Sequence, residues 1–240
     1  MSTQQRTTEH RFFGGIALVI LVSVLFGFAR SFYLKPFLFP DFPAPPEPIF
    51  IIHGIAFTAW VILLLAQTKL VATGNVKLHR TVGGFGAVLA CVLVVLGVFV
   101  ALVAARRPGG FVGIPVPPLQ FLVVPLSAIA LFAFFVALAV VFRRNGQAHK
   151  RLMVLGSLQM VTPAVARWPG IAPFGPPAFF GITDLFVIAL AIFDFRTRRR
   201  LHPATLWGGL LTIVAQPAQL MLSGTSSWLD FARWATGLPG

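Results

Sequence analysis

The chain has 240 residues, of which 57% are hydrophobic and only 10% charged, and its mean hydropathy is +0.87. That is far too apolar for an ordinary soluble domain. Its net charge of +13 does not point to nucleic acid, because the basic residues lie between apolar runs, where they set topology and meet anionic lipid headgroups.

Crossing a hydrocarbon core of about 30 Å takes about 20 mostly apolar residues as helix. Such runs fall near 12–33, 49–70, 81–104, 119–142, 152–168, 179–195 and 204–223. The expected fold is therefore all-α: one transmembrane domain over 1–240, a polytopic helical bundle of seven spans. Six is the alternative count, since Pro163 interrupts the fifth run and Asp184 and Asp194 lie in the sixth. The first run exceeds the apolar core of a signal peptide and no small-residue cleavage site follows it, so it reads as a retained span.

With a cytoplasmic N-terminus, Arg6, Arg11, Lys69, Lys77, Arg80, Arg143, Arg144, Lys150, Arg151, Arg196, Arg198, Arg199 and Arg200 all face inward, which is thirteen of the 19 basic residues. Proline divides the two sides more sharply. Fourteen of the 19 fall in the outer segments: Pro36, Pro40, Pro43, Pro45, Pro46 and Pro48 in the first, Pro108, Pro115, Pro117 and Pro118 in the second, Pro169, Pro173, Pro176 and Pro177 in the third. Interleaved with phenylalanine, they predict a stiff outer rim, serving either as aromatic anchoring of helix ends or as a lid. Residues 226–240, with Trp228, Phe231 and Trp234 among polar neighbours, predict a helix lying in the interface.

Three inner segments repeat a pattern in which a histidine precedes a glycine by seven residues: His79 and Gly86, His149 and Gly156, His202 and Gly209. Positions i and i+7 share a helix face. The chain then reads as one leading helix plus three hairpins. If the glycines let those helices meet, His79, His149 and His202 converge with Asp194 and form a transition-metal site, or His79 and His149 hold a b-type haem. The competing reading is that histidines beside Lys or Arg contact phosphate headgroups or cap helices.

A second polar layer lies in the outer half: His53, Arg167, Asp184, Gln216 and Gln219. A charge in the hydrocarbon costs several kcal/mol unless paired or hydrated. Arg167 and Asp184 are expected to pair, and His53 with the two glutamines suggests a small polar pocket under the rim. Gln67, Gln159 and Thr162 complete the intramembrane polar set. No span carries the lysine a retinal Schiff base needs, and the lone Cys91 excludes an intramolecular disulfide. CxxC, CxxCH, GxGxxG, Walker and HExxH motifs are all missing.

The run HGIAFTAW followed by LHR, then AHKRLM, PAVAR and LHP, resembles a group of bacterial inner-membrane proteins of similar length with no assigned activity. The resemblance spans about residues 32–202. It implies that His53, His79, Arg80, His149, Arg151, Arg167, Asp184, Asp194 and His202 belong to the group's pattern and places the chain in the bacterial inner membrane, but it carries over no reaction. Three functions follow as expectations. The leading one is metal or haem binding for electron transfer, membrane oxidoreduction or respiratory-complex assembly. The others are a small-solute transporter or channel, and a non-catalytic subunit or assembly factor of a larger membrane complex.

Overall fold

The computed structural model describes residues 3–43, 45 and 47–238; Pro46 of the rim and Pro239 and Gly240 of the C-terminal segment lie outside the described residues. Among these, the chain is all-helical. Its elements are α1 (Thr3–Gly27), α2 (Lys35–Leu38), α3 (Pro48–Ala72), α4 (Val76–Arg106), α5 (Pro118–Phe121), α6 (Val123–Val141), α7 (Gly146–Leu158), α8 (Thr162–Val165), α9 (Gly175–Arg198), α10 (Pro203–Ser223) and α11 (Ser226–Thr236). A π-helical turn, Ala29–Tyr33, follows α1, and a 3₁₀ turn, Ala172–Phe174, precedes α9.

Local chemistry sets the boundaries. At one end of the bundle, three short turns join α3 to α4, α6 to α7 and α9 to α10. Each of the following helices is capped by a side chain at its start. Asn75 accepts from the Leu78 N–H at 3.4 Å, Asn145 from Gln147 and Ala148 at 3.2 Å each, and His202 from Ala204 at 3.1 Å. Such caps satisfy amides that the first helical turn leaves open. Proline begins α3 and α10, where its missing N–H costs nothing. The turns carry the basic residues, so this is the basic end. The longer connections, rich in proline, lie at the other.

Five helical segments are long and apolar enough to cross a membrane: Thr3–Gly27, Pro48–Ala72, Val76–Arg106, Pro118–Val141 and Ala172–Arg198. Large apolar side chains stand outward on them, among them Phe85 and Val95 on α4, at 73% and 69% exposure. A surface of that kind belongs in lipid. The protein is a multi-pass membrane protein. The other two apolar runs differ from the sequence expectation in a physically instructive way. The fifth is broken: α7 has 13 residues, the chain leaves the helix at 159–161, and α8 is a single turn around Pro163. The seventh, α10, mixes Gln216, Pro217 and Gln219 into its far half.

The reason lies in the packing. Helix α1 contacts α3, α3 contacts α4, and the sequence of neighbours runs on through α6, α10 and α9 back to α1. These six form a closed ring. Helix α7 touches α6, α10, α1 and α9, and from Arg151 to Val161 every residue but Met153 is buried. It reaches α3 as well, where the Trp60 indole donates to the Ser157 hydroxyl at 3.2 Å. So α7 is the axle of the bundle, enclosed by protein and not by lipid, which removes the need for a long and uniformly apolar run. Consecutive helices α3 and α4, α6 and α7, and α9 and α10 pack against each other.

The three repeat glycines do mark close approaches. A methyl at Gly86 would meet Leu63 at 3.0 Å, at Gly156 Phe135 and Val136 at 3.2 Å, and at Gly209 Val187 at 2.8 Å. Each contact joins a helix to its own hairpin partner and not to the other repeats. The tightest approach is elsewhere: a methyl on Gly27 would sit 2.2 Å from the carbonyl oxygen of Ala164. This lets α8 turn off the axis and lie against the end of α1.

Candidate functional site

Because α7 stops at Leu158 and the chain swings aside through α8, the axis of the bundle is unfilled at the proline end. A cavity of about 270 Å³ lies there, lined from five of the six ring helices and from the π-helical turn that follows α1. That is space for roughly nine waters, near the lower edge of the volumes small-molecule sites use. Its floor is Gln159, whose amide donates to the Leu155 carbonyl at 3.1 Å and to Thr212 Oγ1 at 3.0 Å.

The walls bring together four of the five residues assigned to the outer polar layer: His53, Arg167, Gln216 and Gln219. His53 enters from the second turn of α3. Its Nδ1 is buried and without a hydrogen-bond partner, as is Ser31 Oγ from the π-helical turn. The rest of the wall is largely apolar, with Phe28, Phe57, Phe179 and Phe180 prominent. Arg167 follows α8 directly. Its Nη1 donates to the Pro163 carbonyl at 2.7 Å, and its guanidinium carbon lies 4.8 Å from the centroid of the Phe28 ring.

The expected ion pair between Arg167 and Asp184 is not made. Asp184 instead accepts a hydrogen bond from Gln216 Nε2 at 2.7 Å and stands behind the wall. Four ion pairs join described residues: Arg107 with Glu47, Lys150 with Glu9, Arg151 with Asp194, and Arg233 with Asp230. Arg167 has no part in them. The described lining therefore holds two guanidiniums, Arg107 and Arg167, and no carboxylate.

The basic end is arranged differently. Arg151 and Asp194, both fully buried, form a bidentate pair in which Nε donates at 3.0 and 3.2 Å and Nη2 also bonds Oδ1. Asp194 Oδ2 further accepts the His202 N–H at 3.0 Å and the Thr205 hydroxyl at 2.6 Å. On the other side, Arg151 Nη1 reaches the Gln147 carbonyl and Oε1 at 2.8 Å, and Gln147 and Lys150 bond Glu9 of α1. One network thus ties α1, α7, α9 and α10. The sequence offered one signal for it: Arg151 is the only guanidinium beside the start of the fifth run, and Asp194 the only acid at the end of the sixth.

This network occupies two of the four residues proposed for a metal. Asp194 is saturated by donors, and His202 uses Nδ1 as a helix cap. Burial and the nearby Arg151 and Arg198 guanidiniums lower the His202 pKa from 6.5 to about 4. His79 and His149 do meet, with ring centroids 6.3 Å apart and planes perpendicular. His149 Nδ1 lies 2.8 Å from the Ala139 carbonyl, which leaves its Nε2 open; His79 Nδ1 is buried without a partner. Among the described residues, no three His, Cys, Asp or Glu groups are placed to share one ion.

Comparison with family models, with curated proteins and with solved structures yields no match. The resemblance carried by the HG, LHR and HKRLM motifs thus rests on those residues alone.

Proposed function

We propose that this is a seven-span bundle of the bacterial inner membrane, in which α7 with α8 and α10 complete the five longer crossings. Its basic end and N-terminus face the cytoplasm, α11 lies in the outer interface, and it binds a small amphiphilic molecule in the cavity on the outer side, as a carrier or receptor would. The observation that carries this reading is the unfilled bundle axis lined by His53, Arg167, Gln216 and Gln219. Concave, mostly apolar sites with a few polar groups pointing inward are where small molecules bind. Thirteen basic residues at one end support the orientation.

The test is saturable uptake of an environment-sensitive aromatic amphiphile, 1-aminoanthracene, by the purified protein in lipid nanodiscs. Wild type is expected to give a one-site isotherm. Ala128→Trp, which places an indole in the cavity from α6, is expected to remove it. Absence of binding to wild type, or equal binding to a folded Ala128→Trp, defeats the proposal.

A second reading is favoured by one observation, the His79 and His149 pair. His149 has one nitrogen on a main-chain carbonyl and the other open, and His79 Nδ1 beside it has no partner. Metal-bound histidines are commonly held this way, and 6.3 Å between centroids is within the span of one ion with bonds of about 2 Å to both rings. The chemistry supplied would be electron transfer or membrane oxidoreduction. An optical spectrum with elemental analysis of the purified protein decides it: neither a Soret band nor stoichiometric metal would end it.

A further inference from the structure

We propose that the molecule taken by the cavity is an anion, an amphiphile whose carboxylate-type head is bound by Arg167 and whose apolar body lies among the phenylalanines. This rests on the cavity being a binding site, and names what it selects.

The whole chain has six acidic residues. Glu9, Glu47, Asp194 and Asp230 are each in an ion pair with another base, and Asp184 is hydrogen-bonded to Gln216. Asp41 is exposed in the first proline-rich connection. None remains for Arg167, which stands at membrane depth beside the end of the central helix. Its aromatic neighbour Phe28 and the Pro163 carbonyl engage part of the guanidinium, and a planar fork of five donors is left mostly open toward the cavity. A guanidinium in a poorly hydrated site calls for a counter-charge, and the paired geometry of a carboxylate fits it best.

Two further groups select for the same head. His53 Nδ1 and Ser31 Oγ are buried, unpartnered and on the same cavity wall. Buried polar atoms left without partners are rare unless a ligand or water completes them, and both can donate to an oxyanion. No described lining residue offers a carboxylate to a cationic ligand. A neutral polar solute would leave the guanidinium uncompensated. The volume, about 270 Å³, suits a short chain or a small ring and not an entire phospholipid.

The experiment uses the full chain in phosphatidylcholine nanodiscs, with decanoate and decanol competing against bound 1-aminoanthracene at pH 7.5, each corrected for partition into lipid. Decanoate is expected to compete at least tenfold better than decanol. Arg167→Gln is expected to abolish that ratio by weakening decanoate alone, and Arg167→Lys to restore part of it. Taking the ratio within each variant protects the test from partial unfolding, which lowers both competitors together. Equal competition by the two in wild type, or an unchanged ratio in Arg167→Gln, overturns the inference while leaving the cavity as a binding site. Probe displacement by neither compound also overturns it. Failure of wild type to bind the probe at all is the separate failure of the cavity proposal.

Discussion

The two ends of the bundle handle their central guanidiniums in opposite ways. At the basic end, Arg151, Asp194, Gln147, His202 and Thr205 satisfy one another, and the central helix fills the axis. At the proline end the axis is void and Arg167 lacks a counter-ion; unpartnered buried atoms occur at both ends, at His53 and Ser31 on the cavity wall and at Gln67, His79 and Arg198 at the basic end. Polar groups inside a membrane protein are costly in either case. Where they close on each other they fix the fold; where they stay open they cost stability, and that cost is the usual mark of a site built for something else.

The comparison breaks most visibly at the closed end. Asp194→Asn leaves the Arg151 guanidinium buried and uncompensated, and breaking such a pair from one side costs about 3–5 kcal/mol. A large fall in unfolding midpoint in detergent is expected. The double change Arg151→Met with Asp194→Leu should recover part of it, because two apolar groups of similar size need no partner, while the His202 N–H, the Thr205 hydroxyl and the Gln147 carbonyl still lose theirs. If Asp194→Asn unfolds like wild type, the network is not what holds α7, α9 and α10 together.

Next in size is the joint between the ends. Gly27→Ala puts a methyl 2.2 Å from a main-chain oxygen and 2.8 Å from the Cα of Ala164. Backbone cannot rotate away, so α8 must shift, at about 1–3 kcal/mol. Arg167 lies three residues beyond Ala164, and the same variant should therefore weaken ligand binding, which a change in stability alone would not do.

A smaller effect of opposite sign is expected at the open end. Arg167→Met removes a charge whose unpaired placement in a membrane costs about 2.5–3.5 kcal/mol, and gives up a ring contact worth about 0.5–2 kcal/mol and a hydrogen bond to the Pro163 carbonyl worth about 0.5–1.5 kcal/mol. The balance favours the variant by about 1 kcal/mol, seen as a raised midpoint of the ligand-free protein. A lowered midpoint would make Arg167 a structural residue.

Much of this was legible in the residues, and the part that was not has a common cause. Apolar runs announce helices because the hydrocarbon demands a fixed length. Pro163 marked the break in the fifth run; of the outer polar set, His53, Arg167, Gln216 and Gln219 line one cavity and Asp184 does not. Which charge meets which was not legible. Arg167 and Asp184 share a depth, yet Asp184 is taken by Gln216 from a helix 32 positions away, and Asp194 by Arg151 across 43. Depth follows from position along a span, but azimuth around the bundle follows from which helices are neighbours. That is also why His79 meets His149 while His202 turns to its own helix start. The position of α7 as the axle was hidden for the same reason: a short, partly polar run looks weak when every span is assumed to face lipid.

The smallest effect tests whether the closed end is closed to protons as well. His202 has its pKa lowered from 6.5 to about 4 by burial and by the neighbouring guanidiniums. The unfolded chain therefore takes up a proton near pH 6.5 that the folded protein refuses until about pH 4. Stability is full above pH 6.5, declines as pH falls between those two values, and levels off below the lower one. The site borders the wet interface, so the loss is set at about 1 kcal/mol, well below the unscreened value. His202→Asn keeps a side-chain acceptor for the Ala204 N–H, as a good helix cap should, and carries no titrating group. Its unfolding midpoint should match wild type at pH 7.5 and exceed it at pH 5. If the two proteins lose stability in parallel between those pH values, the slope belongs to other groups and the His202 ring is hydrated in the folded state.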